Sequence, residues 1–419
     1  MNDIVCISPV DGSEVARRRP ASIEEISAAL AAARAAQAEW ARVGLAERKA
    51  KMLDFLAAMQ AQNDAVVPEL AMQMGRPVRY GGELRSFEER VRSLVALSDE
   101  ALRPMTPPPK AGFRRMVKRM PVGLVLVIAP WNYPYLTAVN SIVPALLAGN
   151  AVILKHAAQT LLVGERFQAA MDKAGLPRHL FTTLGLELGG KDPAYVRADA
   201  DFDYAVENLV DGAFYNSGQS CCGVERIYAH ASIYDRFVDA FADLTARYRL
   251  GDPRDSATTL GPMAAVRFAE LVRAHAAEAV AKGARPLIDR NRFSSDRAGT
   301  AFLAPQVLVG VDHTMRVMTE ESFGPIVGIM KVSSDEEALR LMNDSPYGLT
   351  ASIWTEDAEA AERIGDGVAT GTVFMNRCDY IDPGLAWTGV KDTGHGAGMG
   401  PFGFEAVTRP KSFHLRLEH

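Results

Sequence analysis

The run from Gly123 to Ala129 (GLVLVIA) constrains the fold more than any other part of this 419-residue chain. An unbroken apolar stretch of that length is expected of a strand buried on both faces, the habit of parallel sheets covered by helices. A helical stretch from about Tyr135 to Ala148 follows, then a second apolar strand, Ala151 to Lys155, then a helix around 161–174 that stops at Gly175 and Pro177. Strand, helix, strand, helix is the rhythm of a doubly wound parallel sheet. The rhythm resumes after 194, with helices near 201–213, 231–248 and 264–282 and strands near 224–229 and 326–331. Ser334-Asp335-Glu336-Glu337 caps another helix, and 356–366 reads as one more. Two α/β lobes of similar type are expected.

Residues 22–103 read as mostly helical. Ser22 and Glu25 make a capping box ahead of an Ala-rich run to Trp40, and helical patterns recur near 46–62 and 83–102. Pro107-Pro108-Pro109 then forms a stiff linker. The basic cluster Arg114, Arg115, Lys118 and Arg119 is interleaved with apolar residues, as on a solvated strand edge. A net charge of −5 without a basic stripe excludes a nucleic-acid binder of the usual kind. The longest apolar run, Val122 to Trp131, contains Pro130 and is far short of a membrane span. Met1-Asn2-Asp3-Ile4 lacks the basic and apolar regions of a secretory signal, and cysteines at 6, 221, 222 and 378 suit neither a disulfide framework nor a metal site. A cytoplasmic protein is expected.

Three strings carry chemistry. Phe214 to Cys221 (FYNSGQSC) places a cysteine on a Gly-Gln turn, where a tight, partly exposed setting lets a thiol react as thiolate. Taken alone, Cys221 is also readable as a small buried filler, and Cys222 keeps that reading beside a rival role as a protecting or oxidising neighbour. Leu186-Glu187-Leu188-Gly189-Gly190-Lys191 lies 34 positions upstream; its apolar walls would raise the Glu187 carboxyl toward general-base range, while the plainer reading is a paired buried acid. Pro130-Trp131-Asn132-Tyr133-Pro134 follows the GLVLVIA strand, at the strand end where such sheets bind ligands. Asn132 is there either a helix-capping turn residue or an amide donor to an oxyanion.

Together, in this order, these strings resemble the aldehyde dehydrogenase superfamily, as do Glu320-Glu321-Ser322-Phe323-Gly324-Pro325 and the Glu225-Arg226 that closes the cysteine motif. The resemblance runs from Pro121 to Gly389. It implies a cofactor domain (1–104 and 121–186), a catalytic domain (187–391) and a small β arm (105–120 and 405–416) that pairs subunits into a homodimer or homotetramer. It implies NAD or NADP as cofactor, with Lys155 on the adenosine ribose, Glu321 on the nicotinamide ribose, and Phe323 and Trp131 by the ring. It implies that Cys221 attacks an aldehyde, that Asn132 holds the oxyanion, and that Glu187 activates the water that hydrolyses the thioester. Glu187 favours hydrolysis over acyl transfer to coenzyme A. Ala158 stands where relatives often carry a ribose-binding acid, which leaves NAD and NADP both open.

The pattern breaks in one place. Asn132 and Glu187 are only 55 positions apart, shorter than in relatives by roughly one βαβ unit. The shortfall lies between Leu180 and Leu186, where the family carries the turn and helix that face the cofactor pyrophosphate. Either that stretch stands outside the 419 residues, which the cost of bared apolar edges favours, or the deletion is real and a non-catalytic protein of this fold is the alternative. A smaller departure is Gly394-His395-Gly396 after Lys391, where His395 reads as a surface residue. The loop 377–386, with Arg377 and Tyr380, is a candidate wall of a substrate entrance that would suit a polar or acidic aldehyde.

Overall fold

The computed structural model describes residues 3–183, 190–394 and 396–417. The chain opens with a hairpin, β1 (Ile4–Ile7) and β2 (Glu14–Arg18). Helix α1 (Ile23–Trp40) starts at the expected capping box: Ser22 Oγ accepts from Glu25 N, and Ser22 N donates to the Glu25 carboxylate at 2.7 Å. Helices α2 (Leu45–Gln60), α3 (Asn63–Met74) and α4 (Leu84–Ala101) complete the helical layer. Gly75, at φ 81°, closes α3 because a left-handed C-cap favours glycine.

After β3 (Phe113–Pro121), the first lobe is built by β4 (Leu124–Ile128), α5 (Pro134–Leu147), β5 (Ala151–Lys155), α6 (Val163–Lys173) and β6 (Phe181–Thr183). The strands form a parallel sheet in the order β4-β5-β6. Phe55, Phe87 and Phe167 meet under it with ring centroids 5.8–6.2 Å apart. Strand β5 is buried on both faces, as expected, but β4 is not. Val127 points into the core, whereas Leu126 is 58% and Ile128 49% exposed. The expectation for GLVLVIA is therefore corrected. Side chains alternate across a strand, and no described helix covers the second face of β4, which is also an open edge. The bared apolar surface expected of the shortened lobe is thus present.

The second lobe begins with β7 (Asp192–Val196), α7 (Phe202–Phe214), β8 (Val224–His230), α8 (Tyr234–Thr245) and α9 (Val266–Ala281). It continues with β9 (Arg285–Pro286), β10 (Gln306–Val309), β11 (Ile326–Val332), α10 (Asp335–Asn343), β12 (Thr350–Trp354), α11 (Ala358–Gly367) and β13 (Thr372–Met375). Seven strands join in the order β13-β12-β7-β8-β11-β10-β9, all parallel except β9. Apolar clusters pack on both faces of this sheet. Finally β14 (Thr408–Arg416) returns to pair with β3 antiparallel, Thr408 opposite Pro121 and Arg416 opposite Phe113. The basic residues of β3 stay at its surface, with Arg119 paired to Glu405 at 2.6 Å. Among the described residues no helix is long and apolar enough to cross a membrane.

Candidate active site

The site lies where the turn after β4 meets the loop after α7. In that loop Asn216, Ser217 and Gly218 all have positive φ (54°, 59° and 68°). Gly218 has to be glycine: a Cβ there would stand 2.3 Å from the Gly324 carbonyl oxygen of the Glu320–Pro325 string. The cysteine motif and that string are therefore fitted to each other backbone to backbone. Gln219 fixes the loop further, its Nε2 donating to Asn216 O and its Oε1 accepting from Ala264 N. Cys221 emerges from this loop half-buried on the wall of a cavity of about 490 Å³.

Cys222 lines the same cavity. It is buried, and its Sγ donates to the Asp379 carboxylate at 3.0 Å, beside Ser220 Oγ at 2.7 Å. A hydrogen bond with Cys221, then burial, pushes the Cys222 thiol well up, so it stays protonated. This suits the filler reading. Burial raises Asp379 to about 6 against the pull of its two donors.

Asn132 is 1% exposed, and neither atom of its side-chain amide has a hydrogen-bond partner among the described residues. The helix-capping reading does not hold: no side-chain cap opens α5. A buried amide left unpaired on both atoms costs stability unless a ligand uses it. Its backbone oxygen is gripped instead, by Arg76 Nη2 at 2.6 Å and Asn216 Nδ2 at 3.4 Å. Arg76 also donates to Asn216 Oδ1 and to Glu83 at 2.5 Å, and Glu83 accepts from the N–H groups of Tyr135 and Leu136. One buried guanidinium therefore ties the Asn132 turn, the start of α5 and the cysteine loop together. Sequence reading placed Asp379 in the candidate entrance loop 377–386, where it lines the cavity, but missed Arg76 and Glu83. The signals were thin: a Gly-Arg-Pro turn after α3, and an acid beyond a Gly-Gly pair.

Glu187 lies outside the described residues. The end of its motif is fixed by Lys191, whose Nζ bonds the Glu225 carboxylate at 2.6 Å inside the protein. Glu225 also accepts from the N–H groups of Ser322 and Phe323. Glu321 accepts from Gly190 N at 2.6 Å. Lys191 and Glu225 thus join three motifs at one point. Phe323, at φ 49°, meets Trp131 edge-on at 5.5 Å, and Trp131 stacks on Phe268 at 5.4 Å. Lys155 ends β5 half-buried, with no ion pair among the described residues. At the cavity mouth Arg377 stacks on Tyr380 at 3.4 Å, and the Tyr380 hydroxyl donates to Glu89. His395 is outside the described residues. Among those described, no cluster suits a metal.

For a dinucleotide, the two ends fit. Lys155 offers an ammonium, Glu321 a carboxylate, and Trp131 with Phe323 an aromatic wall. For the pyrophosphate between them, no described helix lies between β6 and β7.

Comparison with known proteins identifies the family. The family model described as "Aldehyde dehydrogenase family" matches residues 1–185 and 180–413, breaking where the interval is short. Geranial dehydrogenase of Castellaniella defragrans is 32% identical, over 94% of this chain and 91% of its own. That match spans 439 residues, more than the chain possesses, so the relative carries residues with no counterpart here. Succinate-semialdehyde dehydrogenase [NADP(+)] 1 of Mycobacterium tuberculosis (H37Rv) is 29% identical over 98% of this chain and 99% of its own. The crystal structure of PnpE in complex with nicotinamide adenine dinucleotide superposes with a TM-score of 0.93 at 27% identity, covering 100% of this chain and 95% of that one. With its α/β fold, its paired cysteine and asparagine turns and a family match along nearly its whole length, the chain belongs to the aldehyde dehydrogenase family.

Proposed function

We propose that the chain oxidises a small aldehyde to its carboxylic acid with NAD or NADP, using Cys221 as nucleophile. The observation that carries this reading is the buried Asn132 amide with both atoms unpaired, held by Arg76 beside the loop that presents Cys221. The Cys221 thiolate adds to the carbonyl carbon, and the Asn132 N–H with the Cys221 backbone N–H receives the oxyanion. A bound nicotinamide cofactor supplies the hydride acceptor that turns this adduct into a thioester on Cys221. Glu187 takes the proton from the water that attacks the thioester, and the acid leaves as the thiolate returns. Lys155, Glu321, Trp131 and Phe323 hold the cofactor. Absence of an acid at Ala158 leaves room for a 2′-phosphate, so both cofactors are admitted. The paired strands β3 and β14 are assigned to subunit contact in a homodimer or homotetramer.

The test is NAD(P)H formation over a panel of aldehydes. Cys221→Ala abolishes it, and Asn132→Ala lowers kcat by about 10²–10³. Glu187→Gln gives one burst of NAD(P)H and then stalls. Turnover retained by Cys221→Ala would overturn the assignment. The short interval between Asn132 and Glu187 favours one rival, a non-catalytic protein of this fold. Saturable NAD or NADP binding by calorimetry removes that rival's main support.

A further inference from the structure

The cavity that holds Cys221 also holds a cation without an ion-pair partner among the described residues. Arg90, on α4, is only 6% exposed and lines the cavity. Its recorded hydrogen bonds all leave from one nitrogen, Nη1, to Leu136 O at 2.8 Å and Asn140 Oδ1 at 3.2 Å. Both acceptors belong to α5. Among the described residues no acceptor meets its Nε or Nη2, and no carboxylate lies within ion-pair distance. Arg76 and Lys191, also buried at the site, are each paired with a carboxylate, Glu83 and Glu225.

The acids near Arg90 are committed elsewhere. Glu83 is held by Arg76 and two backbone N–H groups. Glu89, exposed at the mouth, accepts from Tyr380, and Asp379 accepts from Ser220 and Cys222. Asp211 is an exposed residue of the wall. A guanidinium taken out of water without an anion is costly, and this one keeps the edge free that receives a carboxylate in two parallel hydrogen bonds. A purely structural tie between α4 and α5 would use Nη1 alone and would not need that edge.

We propose that Arg90 binds the far carboxylate of an oxo-acid substrate, so that the aldehyde this chain oxidises is an acidic semialdehyde. This rests on the dehydrogenase reading above. The aldehyde end reaches Cys221 while the carboxylate docks on the Nε/Nη2 edge of Arg90. Tyr133 and Thr137, on the same wall, flank the path between them.

Succinate semialdehyde and butanal, of equal chain length, are the probes. In the unaltered protein kcat/KM is expected to favour the semialdehyde. Arg90→Met should lower the ratio of the two kcat/KM values on the order of 100-fold, chiefly through KM for the semialdehyde. Arg90→Lys, which keeps the charge but loses the fork, should lower it roughly tenfold. A ratio unchanged in both variants, or no preference at the outset, overturns the proposal. Calorimetric titration with succinate against butyrate asks the same question without turnover. Succinate binding lost in Arg90→Met while neither aldehyde yields NAD(P)H would keep the anchor and overturn the dehydrogenase reading. Turnover with succinate binding equal in both proteins would overturn the anchor alone.

Discussion

The two sheets of this molecule are made from similar strands and end up in different states. In the second lobe, β7 and β12 are buried at every position, because helices cover both faces and neighbouring strands cover both edges. In the first lobe, β4 has one neighbour and one covered face, so alternate residues of an even more apolar run meet solvent. Apolar sequence records what a strand could bury. What it does bury depends on how much chain remains to build the other layer. The candidate site draws on both lobes, and the Arg76 network joins them.

The largest effect should follow from cutting that join. Arg76→Met leaves Glu83 buried without its partner and is expected to destabilise by about 3–5 kcal/mol. Calorimetry should show the loss, and kcat should fall because the Asn132 turn is no longer gripped. A fully stable, fully active variant would mean that the lobes meet without this guanidinium. Next comes the well-covered sheet. Ile353→Ala, at a fully buried position of β12, is expected to cost about 3 kcal/mol in denaturant unfolding. A cost below about 1 kcal/mol would erase the contrast between the two sheets.

Much of this architecture was legible because it is local. The capping box at Ser22, the β5 strand, and the helices near 201–213 and 264–282 follow from spacing within a dozen residues. The cysteine and asparagine turns were legible because their residues are consecutive. The frame around them was not. Arg76 meets Asn132 across 56 positions and Asn216 across 140, and no local pattern marks such partners. The half-exposed state of β4 was hidden for a different reason. When both faces of a strand are apolar, alternation carries no signal, and only the packing of the described helices reveals which face is bare.

The seam between the lobes also sets a pH dependence. Asp379 sits among Ser220, Cys222 and the cavity wall, and burial raises it to about 6, above its ordinary value. A carboxyl with a raised folded-state pKa adds stability below its unfolded value, and loses that contribution as pH rises through about 4 to 6. Asp379→Asn keeps the acceptor oxygen and cannot ionise. It should match the unaltered protein near pH 4 and exceed it by roughly 2 kcal/mol at pH 7, after allowance for partial solvent contact. Parallel melting curves across that range check this, and a gap that does not open between pH 4 and pH 7 would mean that Asp379 does not titrate there.

The smallest effect is the most discriminating for the comparison. Leu126 stands on the bare face of β4 and Val127 on its covered face, one residue apart. With the face open to water, Leu126→Ala removes little that is buried and should change stability by no more than about 0.5 kcal/mol, whereas Val127→Ala should cost about 2 kcal/mol. Secondary structure and strand position are shared, so the difference isolates burial. If Leu126→Ala instead costs as much as a core substitution, the face is covered in solution, by another copy or by chain beyond these 419 residues. The contrast between the two sheets would then belong to the isolated chain and not to the protein at work.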